Sequence, residues 1–442
     1  MQQETSRPRS SKCIPLIHPH VKRCVLESAQ SKTSRKAYNK SATGQKQTLV
    51  IANKEMTLRR RRFTSLLGGT VLGSFAGSVL CLSGCAAEQS RNGDWAMSVA
   101  DDDNFIDSGA LRTMADRIVT SGANIHSVLV LHRGRLVFER YFTGTDEVPL
   151  SFLGTRVASV SFDAHKLHSL KSVSKSVASL ALGIAIDQGL IRSVDEPIFS
   201  FFPELADMRT ADRDGLLLRH ALGMTMGLQW VEATPATGTA NDETRMYLSG
   251  DACRYVLDRP VVAPPGRQFF YNTGALALVS AIMHKATGQP LDEFARANLF
   301  APIGISGEQW NRIGRDTDAG GGLHLRPGDM ARIGQLVLQG GRWNERQVVS
   351  KEWMDLSTSP RITATNDQGY GYLWWTGRSA VRRRTVSWIG ALGRGGQSIR
   401  IVPELELVVV VTAGYYQDYS AQAFDVQYSV FAEVLRATIS PS

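Results

Sequence analysis

The chain has 442 residues, 43% of them hydrophobic, which suffices for one large or two modest domains with a sizeable core and excludes disorder across the main body. Its formal charge of +9 invites a polyanionic partner, but residues 1–62 hold 15 Lys/Arg against 3 Asp/Glu and so contribute +12, leaving −3 for the rest of the chain. The basic excess belongs to the N-terminal segment alone, and nucleic acid is not an expected partner.

Residues 1–55 are polar, basic and without periodicity, and translation is expected to start at Met56. From there the order is a basic cluster, Arg59-Arg60-Arg61-Arg62, then Phe63, then an uncharged stretch from Thr64 to Gly84 that ends at Cys85. Charge, moderate apolarity and small residues in that sequence make residues 56–85 a twin-arginine or lipoprotein type of signal. Leu82-Ser83-Gly84-Cys85 resembles a lipobox, in which the Cys85 thiol is lipidated and becomes the mature N-terminus. A plain membrane anchor is the alternative, because about 20 apolar residues span a bilayer. Either reading exports the rest of the chain to the bacterial cell envelope or periplasm, and the first makes the membrane a partner through the lipid on Cys85. With Cys13, Cys24 and Cys81 removed and Cys85 lipidated, Cys253 stands alone, so neither an internal disulfide nor a CxxC metal site is expected.

Residues 86–105 read as a polar tether, and 106–442 as the folded domain. Ile125 to Phe142 carries β-branched apolar runs on both sides of Arg133-Gly134, which predicts a hairpin. From Ser172 the period changes: Val173, Val177, Leu180, Ala181, Ile184 and Ala185 recur at helical spacing until Gly189, predicting a long buried helix. Helical stretches follow at Gly274 to Ala286 and Pro327 to Gln339, separated by joints at Pro264-Pro265-Gly266 and Gly320-Gly321-Gly322. Tyr370, Tyr372, Trp374 and Trp375 alternate as in a strand, with core packing as the default and one face available to a pocket. Strand-like runs return at Gln397 to Val402 and Leu405 to Thr412, before an amphipathic closing helix at Ala421 to Ala437. Strands at both ends with helices between predict an α/β (α+β) fold, an antiparallel sheet built from both chain ends with an inserted helical lobe.

Ser-x-x-Lys occurs once, as Ser172-Val173-Ser174-Lys175, at the start of the predicted helix. Positions i and i+3 share a helix face, so Lys175 reaches the Ser172 oxygen, and the helix N-terminus offers free N–H groups where an oxyanion would form. A lysine at its solution pKa of about 10.4 is a poor base, so the site requires burial or a cationic neighbour to neutralise it. About one such motif is expected by chance in a chain of this size, and a helix cap beside a surface lysine is the plain alternative.

Four segments in order give the motif its weight: His168 to Glu204 around Ser172, Leu218 to Trp230, Pro264 to Gly274, and Ala319 to Asn344. Together they resemble the serine β-lactamase-related hydrolases, within them the branch of class C β-lactamases, family VIII carboxylesterases and 6-aminohexanoate-dimer hydrolases. The resemblance runs from about residue 110 to 435 and implies a β-lactamase/transpeptidase-like fold. It implies that Tyr271, of Tyr271-Asn272-Thr273, shuttles the nucleophile's proton as the tyrosine of a Tyr-x-Asn motif, with Thr273 departing from the pattern at a substrate-binding position. Without the resemblance, a core aromatic is an equal reading of Tyr271. The third motif, Lys-Thr-Gly or a variant on an edge strand of the sheet, is counted back from GRGGQSIRIVP to Trp388-Ile389-Gly390. On that count Trp388 and Gly390 bind substrate, and the Ala391 N–H joins that of Ser172 in the oxyanion hole. Trp388 lacks the charge that helps hold a β-lactam carboxylate; Arg394 is an alternative source of that charge, but a solvated surface residue is the preferred reading of it.

Other candidates are weaker. His165, His168 and His220 have no Gly-x-Ser-x-Gly elbow to serve, and His220 reads as a satisfied buried residue. His18-Pro19-His20 has no HExxH partner, and no Gly-Lys-Ser/Thr follows Gly320-Gly321-Gly322, so neither a metal site nor a phosphate loop is expected. The sequence thus predicts a serine hydrolase, without cofactor, that cleaves a small ester or a linear amide through an acyl-enzyme on Ser172. β-Lactams and D-alanyl peptides stand behind as substrates. A cell-wall peptide-binding protein without turnover, or a lipid-anchored scaffold, is the reading from another class.

Overall fold

The predicted hairpin forms as β1 (Ile125–His132) and β2 (Arg135–Tyr141). Arg133 and Gly134 between them both take positive φ, 50° and 72°, the type I′ turn geometry whose twist matches that of the flanking strands. The computed structural model describes residues 105–149, 155–232, 241–365, 367–381, 384–416 and 421–438; the signal-like segment, Cys85 and most of the tether lie outside these residues.

The other strands of the main sheet come from the C-terminal part: β3 (Ile362–Thr365), β4 (Gln368–Tyr370), β5 (Trp375–Val381), β6 (Arg384–Gly393), β7 (Gln397–Val402) and β8 (Leu407–Ala413). The sheet is antiparallel, in the order β3-β4-β5-β6-β7-β8-β1-β2, and the ends of the domain meet where Ile125 pairs with Ala413 and His132 with Leu407. The sheet built from both ends is therefore present.

Both faces of the sheet are covered, which explains the unbroken apolar runs of β1 and β8. In β8, Val408 and Val410 enter the main core, while Leu407, Val409 and Val411 enter a second core on the opposite face. The main core lies under α2 (Val173–Asp187), α3 (Gly274–Thr287) and α4 (Pro327–Leu338), and the second under α1 (Ser108–Ser121) and α5 (Ala421–Ala437). Every residue of α2 from Val173 to Ala185 is buried, and its serines tie it to the segment that joins β4 to β5: Ser176 Oγ donates to the Leu373 carbonyl at 2.6 Å and Ser179 Oγ to that of Tyr372 at 2.8 Å.

Two predicted strands are modified. β8 starts at Leu407 because Pro403–Leu405 form a 3₁₀ turn and Glu406 takes a left-handed φ of 46°. The aromatic run from Tyr370 to Trp375 is not one strand: it breaks at Leu373, whose φ is 66° and whose N–H donates to the Leu222 carbonyl at 3.0 Å. Tyr370, Tyr372 and Trp374 are buried as expected, and Trp375 alone of the four turns toward the cavity described next. No helix among the described residues is long and apolar enough to cross a membrane.

Candidate active site

Ser172 occupies the N-cap position of α2, yet its side chain caps no backbone N–H. Instead Lys175 Nζ donates to Ser172 Oγ at 2.9 Å and to the Gly320 carbonyl at 2.6 Å. Lys175 is only 1% exposed, so the arrangement of a capping serine beside a surface lysine does not occur. Lys171, immediately before the serine, holds a left-handed φ of 50°, a conformation that costs a non-glycine residue energy and persists only where surrounding structure enforces it.

Gly320 belongs to the glycine run whose sequence excluded a phosphate loop. Asp318 accepts from the N–H groups of Gly320 and Gly321 at 3.1 and 3.2 Å, and this turn presents the Gly320 carbonyl to the ammonium. Burial works to lower the Lys175 pKa, but Tyr271 and the carboxylates of Glu232 and Glu243 outweigh it, and the net direction is upward. Lys175 is therefore held as a cation, in contrast to the neutral lysine that its burial alone would give. Burial also raises the pKa of Glu232 and of Asp318, against the opposing pull of Lys175 on each.

The Tyr271 ring lies 5.2 Å from Lys175 Nζ and stacks on Trp375 at a centroid distance of 6.1 Å. Ser172, Tyr271, Glu232 and Trp375 line one cavity of about 690 Å³, whose apolar wall includes Trp230, Phe269 and Leu392. Arg394 lines this cavity and also a neighbouring polar cleft, half-buried, 3.9 Å from Glu243. It is not the solvated surface residue that the sequence suggested.

Four expected site residues fall elsewhere. Trp388 lies in the second core, against Phe431 and the buried Arg400, because side chains on a strand alternate and its position points away from α2. Gly390 pairs with Trp375 across the β5–β6 ladder and does not line the cavity, and Ala391 is fully buried in the main core. Gly393 is the residue of β6 that meets the serine: a Cβ built on it would lie 3.3 Å from Ser172 N and 2.3 Å from the Leu170 carbonyl oxygen. The count back from GRGG thus ran one pleat repeat, two residues, past the contact, and β6, paired on both sides by β5 and β7, is not the edge strand expected; no side chain marked the difference. Thr273 is near the site but buried, and it spends its hydroxyl and its N–H on Glu232 rather than on the cavity.

Sequence reasoning missed Glu232, Asp318 and Gly393. Glu232 stands two residues beyond the segment ending at Trp230, and Asp318 one residue before the segment beginning at Ala319; only their closeness to those segments could have flagged them. His220 is buried, and its Nδ1 accepts from the Leu217 N–H at 3.1 Å, which makes it the satisfied residue expected. Burial pushes the Cys253 thiol up to about 12, so it is not a nucleophile at neutral pH. Among the described residues no cluster of His, Cys, Asp and Glu is arranged to hold a metal ion.

The sequence profile of the family described as Beta-lactamase matches residues 111–422. The chain is similar to the 6-aminohexanoate-dimer hydrolase of Paenarthrobacter ureafaciens, with 25% identity over 290 residues, covering 61% of this chain and 72% of that protein. It is also similar to the lovastatin esterase of Penicillium rubens, with 24% identity over 189 residues, 39% of this chain and 46% of the relative. Its fold matches that of the octameric penicillin-binding protein homologue from Pyrococcus abyssi, at a TM-score of 0.56 and 18% identity, covering 73% of this chain and 76% of the other.

Proposed function

We propose, for a chain that belongs to the Beta-lactamase family of hydrolases, that it is a serine hydrolase acting on a small ester or a linear amide through an acyl-enzyme on Ser172. The observation that carries this reading is the bond from buried Lys175 to Ser172 Oγ, 2.9 Å long, at a helix N-terminus on the wall of the cavity that Tyr271 also lines. Ser172 Oγ attacks the substrate carbonyl and gives its proton to Tyr271, which passes it to the leaving alcohol or amine. Lys175, held as an ammonium, acts as the cation that supports Tyr271 as acceptor rather than as a base itself. The N–H groups of Ser172 and Gly393 hold the tetrahedral oxyanion, Gly393 replacing Ala391 in that role. Water then hydrolyses the acyl-enzyme.

The apolar wall of the cavity favours an ester or amide with an uncharged acyl part. Arg394 on the same cavity supports β-lactams or D-alanyl peptides, whose carboxylate it would meet, as the second reading, although Glu243 shares its charge. A panel of p-nitrophenyl esters, the 6-aminohexanoate linear dimer and nitrocefin tests the order. The account expects ester or linear-amide turnover to exceed nitrocefin turnover, and the reverse order would move the assignment to the second reading. We further propose export by the segment 56–85 with lipid on Cys85, supported by the order of basic, uncharged and small residues there. Mass spectrometry of the mature N-terminus is expected to find a diacylglyceryl-modified Cys85; an unprocessed Met56 start in the cytoplasm would contradict it.

A further inference from the structure

Glu232 is engaged by Thr273 through both carboxylate oxygens: the Thr273 hydroxyl donates to Oε1 at 2.9 Å and its N–H to Oε2 at 2.8 Å. The indole Nε1 of Trp230 donates to Oε2 as a third bond, 2.5 Å long. Three donors on two oxygens suit the ionised carboxylate, which only accepts. Thr273 holds the N-cap position of α3 without capping it through its side chain, so its hydroxyl is committed to Glu232 instead. The indole also packs on the start of α3, where a Cβ on Gly274 would come within 2.6 Å of Trp230 Cη2 and only glycine fits. The segment Trp230–Glu232 therefore grips the turn that begins at Tyr271.

We propose that Glu232 is a positioning residue of the site, fixing the Tyr271–Thr273 turn by its two-oxygen hold on Thr273. Its charge also acts on Lys175 in the direction that raises the lysine's pKa. This rests on the reading of Ser172 as the nucleophile. The charged and titratable groups around it are Lys175 of α2, Tyr271 of the turn before α3, Glu243 with its neighbour Arg394, Tyr247 and Tyr370. Asp318 acts on Lys175 from the side of Gly320. Glu232 is the member of this set that is both bonded to the Tyr271 turn and coupled to the lysine.

The test is the pH profile of Ser172 acylation by a fluorophosphonate probe, read by intact mass, in wild type, Glu232→Gln and Glu232→Asp. A carboxylate near Lys175 raises the pH at which the Lys175-centred site gives up its proton, so removing the charge moves the profile toward lower pH, by about one unit. Glu232→Gln is expected to show that displacement together with a slower maximal rate, and Glu232→Asp to return the profile toward wild type. A lowered rate in Glu232→Gln with an unmoved profile would overturn the role and leave the hydrolase reading standing, whereas no labelling of wild type at any pH would overturn both. If Glu232→Gln does not fold, Thr273→Ser and Thr273→Val carry the test. Serine keeps the donor to Oε1 and is expected to acylate about tenfold faster than valine; equal rates would overturn the proposal.

Discussion

Gly393→Ala isolates the contact between β6 and the start of α2 at Ser172. The new Cβ would lie 2.3 Å from the Leu170 carbonyl oxygen, about 1 Å inside ordinary contact, with Gln397 Cβ at 3.2 Å and Ser172 N at 3.3 Å beyond it. Leu170 cannot yield easily, because it is fully buried and its N–H is bonded to the Leu323 carbonyl at 2.9 Å. The strand must therefore move by roughly the size of the clash, which would carry the Gly393 N–H away from the oxyanion it is proposed to hold. Loss of one such donor costs about 10²–10³ in kcat, and a misplacement of about 1 Å has a similar effect. Overpacking adds about 1–3 kcal/mol of destabilisation, so the variant is expected to fold with a lowered Tm. Gly390→Ala is the control: its Cβ meets nothing closer than the edge of Trp388 at 3.1 Å, and a loss of no more than about threefold is expected. The assay is p-nitrophenyl butyrate turnover, with kcat separated from KM, alongside thermal melting. Comparable activity in both variants, or a greater loss in Gly390→Ala, would refute the assignment of Gly393.

Two further predictions concern the proton path and acid stability. Tyr271→Phe keeps the ring on Trp375 and removes only the hydroxyl, so kcat for p-nitrophenyl butyrate is expected to fall by about 10²–10⁴ with Tm little changed; retained kcat would remove Tyr271 from the mechanism. Burial lowers His126 to about 4 and His168 to about 3, and both ring nitrogens of His168 lack a hydrogen-bond partner among the described residues. Because the unfolded chain binds these protons near 6.5 and the folded chain does not, stability is expected to fall as pH drops from about 6.5 toward 4. The limiting slope is about 1.4 kcal/mol per pH unit for each group. His168→Phe, which preserves a ring against Phe162 and His126, should flatten the decline of Tm with acid, and an unchanged decline would exclude this histidine as its source.

The fold was legible where one period dominates. The β1–β2 hairpin has two β-branched runs around a turn that tolerates positive φ, and α2 has an apolar repeat that ends at a glycine. The break at Leu373 was not legible, since its left-handed backbone is enforced by a bond to Leu222, some 150 residues away in sequence. In the site, the approach of Lys175 to Ser172 was legible from their i, i+3 spacing, and the placing of Tyr271 on the same cavity from the family resemblance. Gly393 contributes a backbone contact, and nothing in a strand's sequence says which N–H meets a helix until the register is known. Arg394 was misread for the same reason, as its neighbour Glu243 belongs to a distant helix, Asp242–Leu248. Glu232 was hidden because its partner, Thr273, had been read as a binding residue for substrate rather than for another part of the protein.

Whether Ser172 is the acylated nucleophile is decided by intact-mass analysis of wild type and Ser172→Ala after exposure to a fluorophosphonate probe. The Ser172 hydroxyl contributes no helix cap, so the alanine variant should fold as wild type does. The account predicts a single adduct on wild type, localised to the peptide bearing Ser172, and none on Ser172→Ala, with p-nitrophenyl butyrate turnover lost in parallel. An adduct that persists in Ser172→Ala, or a folded wild type that neither labels nor turns over ester, would contradict it.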